Sequence, residues 1–193
     1  MGYDKKTFLK NVTVICDTRE QKNSHILSRL DEMGIAYKHE SLDFGDYSFV
    51  VAEKVKDGTK IRNFAQSCLI ERKANVNELY GNLTIDRERI EKEFLCGSSL
   101  SNEFTLLIEG VSNFDELYEY ELPEWQMKNF NRKIKNIGFY CYETIQSWQS
   151  GSKYKFRTIF SKDKEETAVK ILECFYWYWR NYKKMTAGRR NRG

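Results

Sequence analysis

The sequence predicts a mixed α/β fold, and three observations carry that expectation. Short β-branched runs, such as NVTVIC at 11–16 and FTLLIEG at 104–110, have the length and composition of buried strands. Between and after them, apolar residues recur at helical spacing. The two kinds of segment interleave along the chain, which points to helices packed on a mixed sheet. The 193 residues suffice for one domain with its own core, and apolar and charged fractions of 40% and 31% are those of a folded, soluble protein.

Taken in order, residues 11–16 form the first expected strand, and DTREQKNS (17–24) is polar and turn-like. Ile26, Leu27, Leu30 and Met33 then share a helix face. Asn23 or Ser24 is placed to cap that helix, and Gly34 to end it. IAYKHESL (35–42) alternates as a second strand, and DFGDYSFVVAEKV (43–55) turns at Gly45 into a third. Lys56-Asp57-Gly58 signals a hairpin turn, and SCLIERK (67–73) is the fourth strand. A helical zone covers about 76–100, and FTLLIEG is the next strand. Ser112 or Asn113 opens another helical segment, and Pro123 suits the first turn of the one after it. Met127, Phe130, Ile134 and Ile137 continue that spacing, with Gly138 as the stop. FYCYET (139–144) reads as the last strand. Residues 164 to about 183 read as a long terminal helix, with Ala168, Ile171, Leu172, Phe175 and Trp179 on one face. No linker or repeat interrupts the pattern, so one domain is expected over 1–183, with a basic tail at 184–193.

Charge and cysteine usage exclude several function classes. The net charge is +4, yet residues 183–193 hold five Lys or Arg and no acid, which leaves the rest near −1. Such a tail attracts phosphate nonspecifically or serves only as a solubilising end. No run of 18 apolar residues is present, and the N-terminus lacks the apolar stretch of a secretory signal, so no membrane partner is expected. Lys6 stands where a myristoylation signal needs Ser or Thr. Cysteines 16, 68, 96, 141 and 174 form no CxxC, and His25 and His39 are isolated, so reduced thiols are expected and a zinc site is not.

Charged residues gather where strands end. Asp17 and Glu20 follow the first strand, Asp46 follows Gly45, and Glu71 and Lys73 close the fourth. Side chains alternate along a strand, so Glu71 and Lys73 share a face and Arg72 takes the other. An ExK at a strand end is by itself a solvated terminus, and an aspartate after a strand a turn residue. Brought together by a sheet, these carboxylates would repel unless a cation joined them, and Mg²⁺ suits an all-oxygen site. Lys73 would then stand near an attacking water or a developing negative charge. In the terminal helix, Tyr176-Trp177-Tyr178-Trp179 cannot all face one core. Phe175, Tyr176 and Trp179 are expected inside and Trp177 or Tyr178 partly exposed. A homodimer interface or a base-stacking platform are the other readings of this run.

VICDTRE (14–20), GDYSF (45–49) and LIERKANVNEL (69–79) together resemble the signature of the XPF/Mus-type structure-specific nuclease domain. GNLTIDRERIEKEF (81–94) is similar to that family's arginine-bearing helix, and TLLIEG (105–110) to its next strand. The resemblance covers about residues 12–110 in the right order. It implies a restriction-endonuclease-like central mixed sheet flanked by helices, here with a helical C-terminal segment over 111–183. It further implies Mg²⁺- or Mn²⁺-dependent hydrolysis of phosphodiesters in branched DNA (flaps, forks or junctions) during replication, recombination or repair, with no other small-molecule cofactor. By position, Asp17, Asp46 and Glu71 would be the metal carboxylates, Glu20 a further acid, and Lys73 the catalytic lysine. Arg19, Arg72, Arg87 and Arg89 would orient the site or hold DNA phosphates. The expected setting is the cytoplasm of a prokaryotic or phage-infected cell, or a eukaryotic nucleus.

Two departures stand out. The family's last motif aspartate falls on Asn77, which can offer a carbonyl oxygen but no charge. That favours, as an alternative, a weak or inactive pseudonuclease that binds DNA or regulates a partner. A sequence-specific restriction-type nuclease on the same core is a third reading. The family's tandem helix-hairpin-helix module also has no counterpart among the roughly 80 residues after 110. A compact, stand-alone form of the kind found in bacteriophages or mobile elements is therefore expected.

Overall fold

The computed structural model describes residues 4–129 and 134–190. The elements are α1 (Lys5–Leu9), β1 (Val12–Cys16), α2 (Ser24–Glu32), β2 (Ala36–His39), β3 (Tyr47–Val55), β4 (Gly58–Asn63) and β5 (Cys68–Lys73), followed by α3 (Val76–Thr84), α4 (Arg87–Leu100), β6 (Glu103–Glu109), α5 (Phe114–Glu119), α6 (Glu124–Asn129), α7 (Ile137–Ser150), β7 (Arg157–Ser161) and α8 (Lys164–Arg190). Seven strands form one mixed sheet in the order β2-β1-β3-β5-β6-β7, and β4 pairs with β3. The pairs β1–β2, β5–β6 and β6–β7 are parallel, while β3 runs antiparallel to β1, β4 and β5. Among the described residues no helix is long and apolar enough to cross a membrane.

Alternation along the strands sorts the core into two layers. On one face, Val14 and Cys16 of β1, Phe49 of β3, Cys68 and Ile70 of β5, and Leu107 of β6 pack against α1, α2 and α8. On the other, Leu69 of β5 and Phe104, Leu106 and Ile108 of β6 pack against α3, α4, α5 and α7. Beyond Leu69 and Ile70 the same alternation sends Glu71 and Lys73 toward α3 and α4, and Arg72 toward α2. The register of β5 on β6, Glu71 opposite Leu106 and Lys73 opposite Ile108, fixes that outcome.

Helix α8 is anchored at its aromatic turn. Phe175, Tyr176 and Trp179 are buried, while Trp177 is half exposed and lies under the Arg180 guanidinium. Buried Glu53 on β3 accepts from Trp179 Nε1 and pairs with Lys183 Nζ, both at 3.2 Å, and pairs with Arg62 of β4 at 3.2 Å. The helix continues through Arg190, seven residues beyond the expected end at about 183 and into the basic tail.

Three sequence expectations are corrected here. FYCYET lies inside α7 and is not a strand. Its aromatics suit strands in general, but Ile137, Cys141, Ile145 and Trp148 bury one helical stripe, and Asn136 caps the start by accepting from the Phe139 N–H. Gly138 is no stop: it sits in the first turn of α7, where a Cβ would run into the Leu117 carbonyl. The last strand is instead RTIFS, β7, and TKIRN after the hairpin turn belongs to a further strand, β4. Phe130, part of the spacing read after Pro123, lies outside the described residues.

Candidate active site

Gly45 is the hinge on which the site is built. Its φ of +71° is a left-handed conformation that glycine adopts without strain, and a Cβ there would come within 3.0 Å of the Ile70 carbonyl oxygen. The close approach lets the Asp46 N–H donate to Ile70 O at 2.8 Å, while Asp46 O accepts from the Asp17 N–H at 2.8 Å. Asp46 therefore bridges the ends of β1 and β5. Its Oδ2 accepts from the Arg72 backbone N–H at 2.7 Å, which fixes the carboxylate beside Glu71.

An open cleft of about 390 Å³ lies over this junction. Its acidic wall is Glu20, Asp46, Glu71, Glu78 and Glu93, and Arg19, Lys73 and Arg89 also line it. Lys73 Nζ donates to Glu71 Oε1 at 2.5 Å, and both side chains are buried. Glu71 Oε2 is buried and has no hydrogen-bond partner among the described residues. Burial and the Glu71 charge hold the Asp46 carboxyl well above the usual carboxylate range. Burial and Glu71 likewise push Glu93 of α4 up to about 7. Burial opposes the Lys73 ammonium, but Glu71 and Asp46 outweigh it and raise its pKa. Asp46, Glu71 and Glu93 thus share the one ammonium of Lys73, while Arg19, Lys22, Arg72 and Arg89 line the rest of the cleft. An orphaned Glu71 oxygen with Asp46 and Glu93 near enough to be raised by its charge offers oxygen donors of the kind that Mg²⁺ or Mn²⁺ takes.

The turn after β5 explains the asparagines of the ERK segment. Asn75 caps α3 by accepting from the Glu78 N–H at 2.8 Å, and Glu78 Oε2 returns the contact from the Ala74 N–H at 3.0 Å. Asn77 comes next, and it does not line the cleft. Its Oδ1 is buried without a hydrogen-bond partner. From α3, Glu78 and Asn82 reach the cleft instead.

The structure brings together only some of the expected site residues. Asp46, Glu71, Lys73 and Glu20 meet at the cleft, with Arg19 and Arg89 on its wall. Asp17, expected among the metal carboxylates, is buried but does not line it. Oδ1 accepts from the Arg19 N–H and Nε at 2.8 and 2.7 Å, and Oδ2 from Arg19 Nη2 and the Leu42 N–H at 3.1 and 2.6 Å. Its lone pairs are spent on bracing the turn after β1. Arg87 faces away from the cleft, donating to Glu91 and the Tyr140 hydroxyl and lying against the Trp148 ring. Arg89, diverging from it along α4, pairs with Glu93 at 3.1 Å.

Arg72 reaches the cleft margin, but its guanidinium is locked on the far side of β5. It is buried between Glu109 and Glu20, at 3.0 and 3.3 Å, and donates to the Lys22 carbonyl. His25 Nε2 closes on the same Glu109 oxygen at 3.0 Å. Burial works against the Arg72 charge, but Glu109 and Glu20 raise its pKa.

Glu93 and Glu109 were not among the expected residues. The signal for Glu93 was the buried stripe of Ile90, Phe94 and Gly97, which leaves Glu93 on its edge and one turn from Arg89. Glu109 carried only its parity with Leu107 along β6.

The ERCC4 domain model matches residues 16–174. The chain belongs to the ERCC4-domain family. The match runs well past residue 110, so α5 to α7, β7 and the start of α8 lie within it, although the motifs recognised in the sequence stop earlier. Among solved structures, XPF from Aeropyrum pernix is similar with a TM-score of 0.58 and 17% identity, over 86% of this chain and 61% of that one. The same protein in complex with DNA is similar with a TM-score of 0.56 and 16% identity, over 88% and 66%. The chain thus spans about six tenths of the first of these. At such identity the likeness is one of fold, and it agrees with the mixed sheet flanked by helices. No curated protein matches in sequence.

Proposed function

We infer that the protein is a metal-dependent endonuclease that hydrolyses phosphodiesters in branched or structured DNA. The observation that carries this is the meeting of Asp46, Glu71, Glu93 and Lys73 in one open cleft of an ERCC4 domain. A DNA-bound relative of the same fold supports DNA as the substrate class.

Asp46, Glu71 and Glu93 would hold a divalent cation, Mg²⁺ or Mn²⁺, with Glu20 beyond them. When bound, the cation neutralises phosphate charge and lowers the pKa of a water. Lys73, kept protonated by Glu71 and Asp46, places an ammonium where negative charge develops on the phosphoryl oxygens. Arg72 presents its backbone N–H to Asp46 and so positions that carboxylate. Arg89 and Arg19 give the cleft wall positive charge for the DNA backbone. Asp17 holds Arg19 and the turn in place.

The test is incubation with Mg²⁺ or Mn²⁺ and a panel of flap, fork, junction, duplex and single-stranded DNAs, with Lys73→Ala as control. Metal-dependent cutting of branched substrates that disappears in Lys73→Ala is the expected result. Binding without cutting would select the pseudonuclease reading that Asn77 favours, and cutting only at defined duplex sequences would select a restriction-type enzyme.

A further inference from the structure

The opposite end of β5 carries a second cluster for which DNA cleavage has no use. Cys68 opens β5 across from Glu103 of β6, and Thr105 lies across from Arg157 of β7. Cys174 descends onto them from α8. The two sulfurs and a Glu103 carboxylate oxygen all lie within 4.8 Å of one another. Arg157 Nη2 donates to Cys174 Sγ at 2.8 Å and pairs with Glu103 Oε1 at 2.6 Å. Arg157 Nε donates to Thr105 Oγ1 at 3.2 Å, and that hydroxyl stands 3.7 Å from Cys174 Sγ.

A buried cysteine without such partners is an inert thiol. Burial pushes Cys16 and Cys141 up to about 12. Cys174 goes the other way: a hydrogen bond from Cys68 lowers its pKa, and the Arg157 charge helps offset burial. Burial, and the same neighbour, hold Cys68 well above its ordinary value. Of the two, Cys174 is the more readily ionised, with the Cys68 thiol placed to donate to it. Little of Cys174 is exposed, but the residue borders open space. Cys174 lines an open cleft of about 330 Å³ together with Arg157, Lys170 and Trp177. A metal ion is not what the cluster calls for, because the Arg157 guanidinium already fills the gap between Cys174 and Glu103.

We propose that Cys174 is a peroxide-reactive thiol and Cys68 its resolving partner. The Cys174 thiolate attacks one oxygen of a hydroperoxide. The O–O bond breaks, Cys174 becomes a sulfenic acid, and the departing hydroxide or alkoxide leaves as water or alcohol after taking a proton from solvent. Cys68 sulfur then attacks Cys174 sulfur, the S–O bond breaks, and the leaving hydroxide departs as water with the Cys68 proton. Two thiols are oxidised to one disulfide and one peroxide is reduced. The bond ties the start of β5 to α8.

The experiment treats the whole protein with graded hydrogen peroxide, blocks remaining thiols and maps the peptides by mass spectrometry. The expected product is a Cys68–Cys174 disulfide that forms before Cys16, Cys96 or Cys141 is modified. Cys68→Ser should instead trap Cys174 as a dimedone-reactive sulfenic acid, and Arg157→Gln should slow its oxidation at pH 7 by about tenfold. Cys68→Ser changes no charge and keeps the test open if Arg157→Gln does not fold. The proposal is overturned if Cys96, the least buried of the five thiols, is oxidised while Cys68 and Cys174 stay reduced. It is equally overturned if a folded Arg157→Gln variant reacts at the unaltered rate, or if one equivalent of Zn²⁺ binds and protects both thiols.

Discussion

The two sides of the end of β5 are made of the same materials and do opposite things. On the α3/α4 side, the three carboxylates of Asp46, Glu71 and Glu93 meet the one ammonium of Lys73 in an open cleft. On the α2 side, Arg72 is closed in by Glu109, Glu20 and His25, with its guanidinium paired to both carboxylates. Buried ions that are matched act as a clasp, and removing one partner strands the other. Buried ions left unmatched, at a surface that opens to solvent, call for an outside cation. Stability should therefore sit with residue 72 and chemistry with 71 and 73, although they are adjacent in sequence.

Arg72→Met attacks the closed side and should show the largest effect on folding. It removes the guanidinium from buried Glu109 and partly buried Glu20, and a loss of roughly 3–5 kcal/mol is expected in chemical denaturation. Adding Glu109→Gln should recover part of it. A small loss in the single variant would mean the two sides do not differ as described.

On the open side, Glu93→Gln should weaken Mn²⁺ binding by about tenfold, measured by titration calorimetry, while the melting temperature holds or rises. Unchanged affinity would remove Glu93 from the site. Asp17→Asn sharpens the boundary between the two. Burial would raise the Asp17 pKa, but Arg19 and the Leu42 N–H lower it below the usual range. A folded-state pKa that is depressed means its stabilisation is complete above the ordinary carboxylate pKa and fades as pH falls through the depressed one. Asp17→Asn should therefore cost about 1 kcal/mol near neutrality and flatten the acid side of the stability–pH curve. Smallest of all, Arg87→Gln should lower stability by about 0.5 kcal/mol without changing cleavage, whereas Arg89→Gln should impair cleavage at unchanged stability. Asn77→Asp should cut as well as the natural protein or better.

Only the geometry of this contrast was legible in the sequence, which assigns Arg72 to orienting the site or holding phosphate and not to a buried clasp. The period-two rule separated Glu71 and Lys73 from Arg72, and spacing within the motif segments identified the strand ends that converge. What was not legible depended on how elements are rotated and layered. Nothing local to Glu93 says that α4 turns it toward Glu71. Nothing local to Asp17 shows that Arg19 and Leu42 take up its oxygens. FYCYET was misread because its composition suits a strand, and only the burial of Ile137, Cys141, Ile145 and Trp148 against neighbouring elements makes it a helix. Cys68 and Cys174 are remote in sequence and meet only when α8 packs on β5.

Glu71→Gln tests the central claim most directly, with cleavage and melting measured on the same sample. It keeps the shape of the side chain and removes the charge that Asp46, Glu93 and Lys73 surround. The account predicts a folded protein that melts at or above the natural temperature and has lost metal-dependent cutting of branched DNA by about a hundredfold or more. A variant that still cuts at the natural rate would contradict it.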